Sequence, residues 1–192
     1  MTAAAAPGPG LIGALALFLV LLALQRLREL RVSSRNQARM RALGGREHGA
    51  GHFFWFVLLH GLFPLGLVAE VVFLGARPGA PWPLWLALLL AAQALRFAAM
   101  QALGERWSVR IWVLPGAPLV TRGPYRFVRH PNYLAVVAEL PAAALLFGAW
   151  RTALIFSIAN LLILRMRIRA EERALGIGAA AVGPVDRPDA FL

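Results

Sequence analysis

The chain has 192 residues, 59% of them hydrophobic and only 15% charged, with a mean hydropathy of +0.65; this lies outside the range of soluble globular domains and makes a bilayer the natural solvent. The formal net charge is +11 and every basic residue is arginine; such a charge would suit a nucleic-acid binder held by phosphate contacts, but the hydropathy argues against nucleic acid as a partner. There is no cysteine, so disulfides, thiolate metal sites and a cysteine nucleophile are excluded. The missing lysine fits a GC-rich genome, also rich in Ala, Gly and Leu codons, better than a need for guanidinium chemistry at every site.

The first apolar run, residues 11–24, follows PGPG without a positive charge and precedes Arg26, Arg28 and Arg31, the reverse of a secretory signal. Its strictly apolar part covers about 21 Å at helical rise, short of a roughly 30 Å hydrocarbon core. A first span is therefore placed at 8–30, with the arginines snorkelling. A second span at 53–75 and a third at 82–100 flank residues 75–83, whose three prolines and two glycines cannot continue a helix. Residues 101–131 form a loop. Two further apolar stretches, joined at FGAWRT, make a helical hairpin over 132–164, and 165–192 form a tail with a C-terminal helix.

The fold expected is one all-α, polytopic integral membrane domain over 1–192 with about five transmembrane helices. With alternating crossings, residues 26–52, 101–131 and the tail from 165 carry seven, five and five arginines on one side, against Arg77 and Arg151 on the other. The positive-inside rule places the N-terminus outside and the basic segments in the cytosol. No solenoid repeat and no matched pair of interrupted helices is present, which disfavours transport.

Polar groups inside spans need a reason, because each costs about 2.5–3.5 kcal/mol near the midplane when charged. Glu70 fits the outer headgroup zone, Arg96 a snorkelling position, and Gln93 and Asn160 interhelical hydrogen bonding. Glu139 lies six residues beyond Tyr133 and is separated by one residue from the helix-bending Pro141; it faces either a cavity or a buried cation. His60, about two turns into its span, calls for a packed, hydrogen-bonded partner.

Residues 103–133, LGERWSVRIWVLPGAPLVTRGPYRFVRHPNY, alternate arginines and aromatics between turns at PGAP, RGP and HP, a composition able to build a polar pocket. Arg126, Arg129 and His130 supply donors for a carboxylate, and Trp107, Tyr125 and Tyr133 flat faces for a nucleobase or a cation. A basic loop resting on anionic headgroups is the competing reading. In the tail, RMRIRAEERAL places Glu171 and Glu172 after three arginines, either as an exposed face with an Arg167–Glu171 pair or as the anion for an ammonium or sulfonium group. No GxGxxG after a strand, no P-loop and no HExxH occurs, so any cofactor has to be held by loops and helix ends.

LVTRGPYRFVRHPNYL followed by RIRAEERAL resembles the isoprenylcysteine carboxyl methyltransferase family of membrane enzymes over roughly residues 103–175, with GPYR, RHPxY and EE in order. The upstream RLRELRVSSRNQARMRALGGREHGAGHFFWFVLLHGLFPLG, WSVRIWVLPGAPLV and GAWRTALIFSIAN look like the bacterial branch found beside type III polyketide synthases. That resemblance implies a plasma-membrane enzyme that O-methylates alkylresorcinols or alkylpyrones. It further implies S-adenosylmethionine in a cytosolic pocket and a lipophilic substrate arriving through the bilayer. On the matching positions, Arg126, Arg129, His130 and Tyr133 would line the cofactor pocket, and Glu171 or Glu172 would bind the cofactor's amino end or lock the arginines. After Leu175 the chain lacks the aromatic FGxxYxxY-like ending of eukaryotic members.

Methyl transfer requires no metal, and a phenol with a pKa near 10 benefits from a base that a carboxylate does not need; His60 and Glu139 are the candidates. Membrane lipids and the lipophilic substrate are the partners, and no obligate protein partner is evident. Carboxyl methylation of an isoprenylcysteine, an NADPH-dependent reductase of sterol-reductase type with a related HPxY arrangement, and a non-enzymatic scaffold are the competing functions.

Overall fold

A computed structural model describes residues 6–176; the divergent ending from 177 onward lies outside the described residues. Helix α1 (Pro9–Ala42) runs for 34 residues, about 51 Å at helical rise and well beyond the hydrocarbon thickness. It does not stop near residue 30, because after Gly13 no glycine or proline interrupts it before Gly44 and Arg, Leu, Gln and Glu are good helix formers. The basic stretch expected as a connecting segment is thus largely helix. Gly44, with φ +80°, ends it.

Helix α2 (Ala50–Val72), helix α3 (Trp82–Leu103) and α1 are long and apolar enough to cross a membrane. Helix α4 (Pro131–Leu146) is a shorter apolar helix. Helix α5 (Trp150–Ala174) carries an apolar first half and the basic RMRIRAEER stretch in one continuous rod. Neighbours α3 and α4, α4 and α5, and α5 and α2 pack side by side. Leu67, Val71, Val136 and Leu140 fill the core, with Leu15 of α1 joining it and Phe18 meeting Phe147 at 5.4 Å between ring centroids. Small residues set the spacing: Ala142, Ala143 and Ala144 are buried, and a Cβ on Gly66 would come within 2.9 Å of the Phe156 ring. Close backbone approach of this kind replaces the hydrophobic drive that lipid removes.

One element departs from the all-α expectation. Strands β1 (Arg46–His48) and β2 (Ile111–Val113) pair antiparallel, with Arg46 opposite Val113, Glu47 opposite Trp112 and His48 opposite Ile111. Ile-Trp-Val is strand-favouring, but three residues are too few to display a period of two.

The polar residues of the spans are corrected in part. Glu70 is 2% exposed instead of lying among headgroups. Its carboxylate accepts the backbone N–H groups of Arg151 at 3.0 Å and Thr152 at 2.7 Å, capping α5, whose own N-cap Ala149 supplies no side chain. Arg96 does not snorkel; it is 5% exposed and paired with Glu139 and Glu29, because partners within reach remove the need to find water. Gln93 bonds between helices as expected, accepting from Gln25 at 2.9 Å and donating to Glu139 at 3.3 Å. Asn160 does not, as its Oδ1 is buried without a hydrogen-bond partner among the described residues.

The turn before α5 is closed by Gly148, whose φ is +71° and whose Cβ would lie 1.8 Å from the Arg77 carbonyl oxygen. Gly148→Ala is therefore expected to shift the backbone of residue 77 and to lower the thermal midpoint in detergent more than any exposed Gly→Ala control. Glu70→Ala strands two buried N–H groups, at about 1–3 kcal/mol each, and Glu70→Gln should recover part of the loss; thermal unfolding followed by tryptophan fluorescence reads both.

Candidate active site

The information-dense loop is held in place by a polar face of α1. Asn36 donates to the carbonyls of Gly104 at 3.2 Å and Trp107 at 2.7 Å. Ser33 accepts the N–H of Val109 at 3.1 Å, and Gln37 donates to the hydroxyls of Ser33 at 2.6 Å and Ser108 at 2.9 Å. From α5, Arg167 donates to the Val109 carbonyl at 2.7 Å, and Arg122 reaches back to the Ala102 carbonyl at 3.0 Å. The ribbon adds an Arg110–Glu47 pair at 2.6 Å, with the Arg110 guanidinium 4.2 Å from the Phe53 ring centroid. A loop tied to α1, α3 and α5 by hydrogen bonds to backbone groups is part of the fold. Ser33, Asn36 and Gln37 did stand in the sequence as polar residues at helical spacing, concealed among arginines.

Under this loop lies a cavity of about 530 Å³, within the usual range of small-molecule sites. It is bounded by α1, α2, the loop, the start of α4 and the end of α5. Of the residues singled out for a cofactor, Trp107, Tyr125, Arg129, His130, Tyr133 and Glu171 line it. Arg126 and Glu172 do not. Arg126 is exposed, 5.3 Å from the ring centroid of exposed Phe127, and Glu172 accepts a hydrogen bond from His130 Nε2 at 3.2 Å.

The two glutamates bind neither Arg126 nor Arg129, because the return of α5 beside α4 brings them to the first turn of α4 instead. Tyr133 donates its hydroxyl proton to Glu171 at 2.5 Å, and the His130 ring stacks on Tyr133 with centroids 5.6 Å apart. Burial, aided by the charge of Glu171, pushes the Tyr125 phenol well above its ordinary value, so Tyr125 stays neutral over the physiological range. Arg167, which the sequence offered only as a possible surface pair, is 3% exposed and lies 4.7 Å from the Phe56 and 5.9 Å from the Tyr133 ring centroid. Wall residues also carry buried polar atoms with no hydrogen-bond partner among the described residues, such as Trp107 Nε1, Trp112 Nε1 and Asn132 Oδ1. Such atoms are uncommon in finished interiors and mark a site that a ligand or water completes.

The deep end of the cavity is charged. Arg26 of α1 pairs with Glu29 at 2.6 Å and with Glu139, which also pairs with Arg96 of α3. Glu139 thus meets buried cations, one of its two expected environments, and is absent from the cavity wall, whereas Arg26, Glu29, Arg96 and His60 belong to it. His60 Nδ1 lies 2.8 Å from the Phe56 carbonyl. A carbonyl can only accept, so Nδ1 carries the proton and Nε2 keeps its lone pair. The combination of aromatic faces, a carboxylate and an unprotonated imidazole nitrogen can hold a cationic group at one end and accept a proton at the other.

The isoprenylcysteine carboxyl methyltransferase (ICMT) family model matches residues 85–177, that is α3, the loop, α4 and α5. Uncharacterized protein YpbQ of Bacillus subtilis is 38% identical over 159 residues, covering 83% of this chain and 95% of that protein. An uncharacterized protein of Haemophilus influenzae is 31% identical over 151 residues, covering 78% of this chain and 88% of its own length. No solved structure matches. The order of GPYR, RHPNY and EE along the chain, the membrane-length helices and these matches agree, and the chain belongs to the ICMT family of membrane methyltransferases.

Proposed function

We propose that this protein is an S-adenosylmethionine-dependent O-methyltransferase of a lipophilic hydroxyl acceptor, a phenolic lipid of the alkylresorcinol or alkylpyrone kind. The observation that carries the reading is the pairing, on one cavity, of an aromatic and acidic wall from the family-matched segment with an imidazole base from α2. A carboxylate acceptor would need no base, whereas a phenol does. In this reading α4 and α5 complete five spans as a hairpin, the N-terminus is outside, and the arginine-rich loop and the end of α5 face the cytosol of a bacterial plasma membrane.

S-adenosylmethionine, when bound, supplies a methyl group on a sulfonium centre whose carbon–sulfur bond breaks with its electron pair remaining on sulfur. The site fits that group. Its wall offers flat faces at Trp107, Tyr125 and Tyr133 for a nucleobase or a sulfonium, a carboxylate at Glu171 for an ammonium, and the Arg129 guanidinium for a carboxylate, with the His130 ring beside them. Arg126 and Glu172 act one step back, Glu172 by orienting His130. Val57 and Gly61 of α2 line the cavity and are exposed, an apolar edge along which an acyl chain would lie. His60 Nε2 takes the acceptor's proton. Glu139, with both carboxylate oxygens committed to guanidinium groups, is a positioning residue that fixes Arg26 and Arg96 beside it.

Incubating detergent-purified protein with methyl-labelled S-adenosylmethionine and a long-chain alkylresorcinol should give a labelled monomethyl ether by mass spectrometry. Binding of NADPH in place of S-adenosylmethionine, or methylation confined to a prenylcysteine carboxylate, would overturn the reading in favour of a reductase or of carboxyl methylation. Glu171→Gln is expected to weaken S-adenosylmethionine binding by about 10–100-fold, the worth of one charge-assisted contact, as measured by equilibrium dialysis. His60→Ala is expected to lower phenol turnover by about 10²–10⁴-fold, the usual contribution of a general base, while dialysis shows cofactor affinity within a factor of about three.

A further inference from the structure

The charged floor of the cavity contains more than the methyl-transfer reading uses. Arg26, Glu29, Arg96 and Glu139 form a cluster of two cations and two anions, held together by direct pairs and joined by the Gln93 amide. The cluster is neutral, so no net charge is buried. Its members differ in exposure: the Arg26 side chain is 28% exposed, against 6% for Glu29, 6% for Arg96 and 7% for Glu139. Arg26 is the most exposed of the four, and it lines the cavity together with Glu29, Arg96 and His60.

A guanidinium has five N–H donors, and Arg26 spends one on Glu29 and one on Glu139. The remaining donors have no hydrogen-bond partner among the described residues. Two carboxylates fix the plane of the guanidinium, so it meets an incoming acceptor with little orientational entropy left to lose. Arg26, Arg96 and His60 line the same cavity, which places the imidazole base and the Arg26 guanidinium around one volume.

We propose, resting on the methyl-transfer reading, that Arg26 is the acceptor-binding residue: its free N–H donors hold the acidic hydroxyl of the lipid as an oxyanion while His60 Nε2 holds the proton removed from it. The new carbon–oxygen bond forms from the oxyanion's lone pair as the methyl–sulfur bond breaks onto sulfur, leaving a neutral ether and a neutral thioether. A phenolate in an apolar cavity without such a donor would be strongly disfavoured. A charge-assisted bond from a preset guanidinium offsets that cost. Arg26 and His60 stand on α1 and α2, outside the segment the family model matches. Acceptor choice is thereby assigned to the first two helices, and cofactor binding to the remainder.

The test uses a long-chain alkyl nitrophenol, whose colour reports its ionisation, titrated on full-length protein in detergent with S-adenosylhomocysteine present. Wild type is expected to lower the probe's apparent pKa by about one unit or more relative to empty micelles. The charge-balanced double variant Arg26→Gln with Glu29→Gln is expected to abolish that shift and to reduce kcat/KM for the alkylresorcinol by about 10²-fold, with S-adenosylmethionine affinity retained. If the double variant does not accumulate, Arg26→Lys, which keeps charge and loses the fork, is expected to show a smaller shift than wild type. An unshifted probe in wild type overturns the assignment, as does a full shift in either variant. A shifted probe that depends on Arg26, in a protein that transfers no methyl group to any phenol, supports the oxyanion site and instead sinks the methyltransferase reading.

Discussion

The interaction on which this structure depends is the ion cluster joining α1, α3 and α4 within the helix bundle. In a lipid environment a lone charge at this depth is expensive, and removing one partner of a buried pair is costlier than never having had it. Glu139 bonds arginines from two helices, so neither α1 nor α3 can rotate without exposing a guanidinium to hydrocarbon. That constraint sets the azimuth of α1, which has few apolar anchors of its own beyond Leu15 and Met40 among its fully buried residues. Once the azimuth is set, the Ser33, Asn36 and Gln37 face points at the loop, and the loop's backbone finds its partners there. The cavity is a consequence of the same fixed rotation, since its roof is that loop and its floor is the cluster.

The opposite end of the bundle solves a different problem. There a very short turn joins α4 to α5, and Glu70 of α2 does the capping of α5 that the turn cannot. Gly148 lets two backbone segments touch where any side chain would collide. The result is a bundle closely packed at this end and hollow at the other.

Much of this was legible beforehand because apolar length is a strong signal. The membrane-length helices and the Gly- and Pro-rich break at 75–83 follow from runs and spacing, and the cavity wall includes Tyr125, Tyr133 and His130 of the segment whose composition suggested a pocket. The failures share one cause. Charge patterns in a sequence say what a residue costs but not who repays it: Arg26 and Arg96 read as snorkelling groups and Glu70 as a headgroup residue, yet each finds a partner more than forty positions away. The β1–β2 ribbon failed for the related reason that its pairing spans the second and third helices. Arg126 failed differently, since a motif identifies neighbours along the chain and not which of them turn inward.

In the proposed reading, two half-sites on separate segments would let such a scaffold change its acceptor without losing its cofactor. On the wall where α4 meets α5, Tyr133, His130, Glu171 and Glu172 position one another through bonds within that segment. The acceptor side is not confined to one segment, because Arg26 owes its orientation to Glu139 of α4, whereas His60 owes its tautomer to its own helix backbone. A change in α2 near Val57 or Gly61 alters the chain-binding slot while leaving every cofactor contact in place. A change at Glu139 reaches both halves at once, because it frees Arg26 on the acceptor side and Arg96 beneath the shared floor. The residue that touches neither ligand is then the one whose loss is least confined.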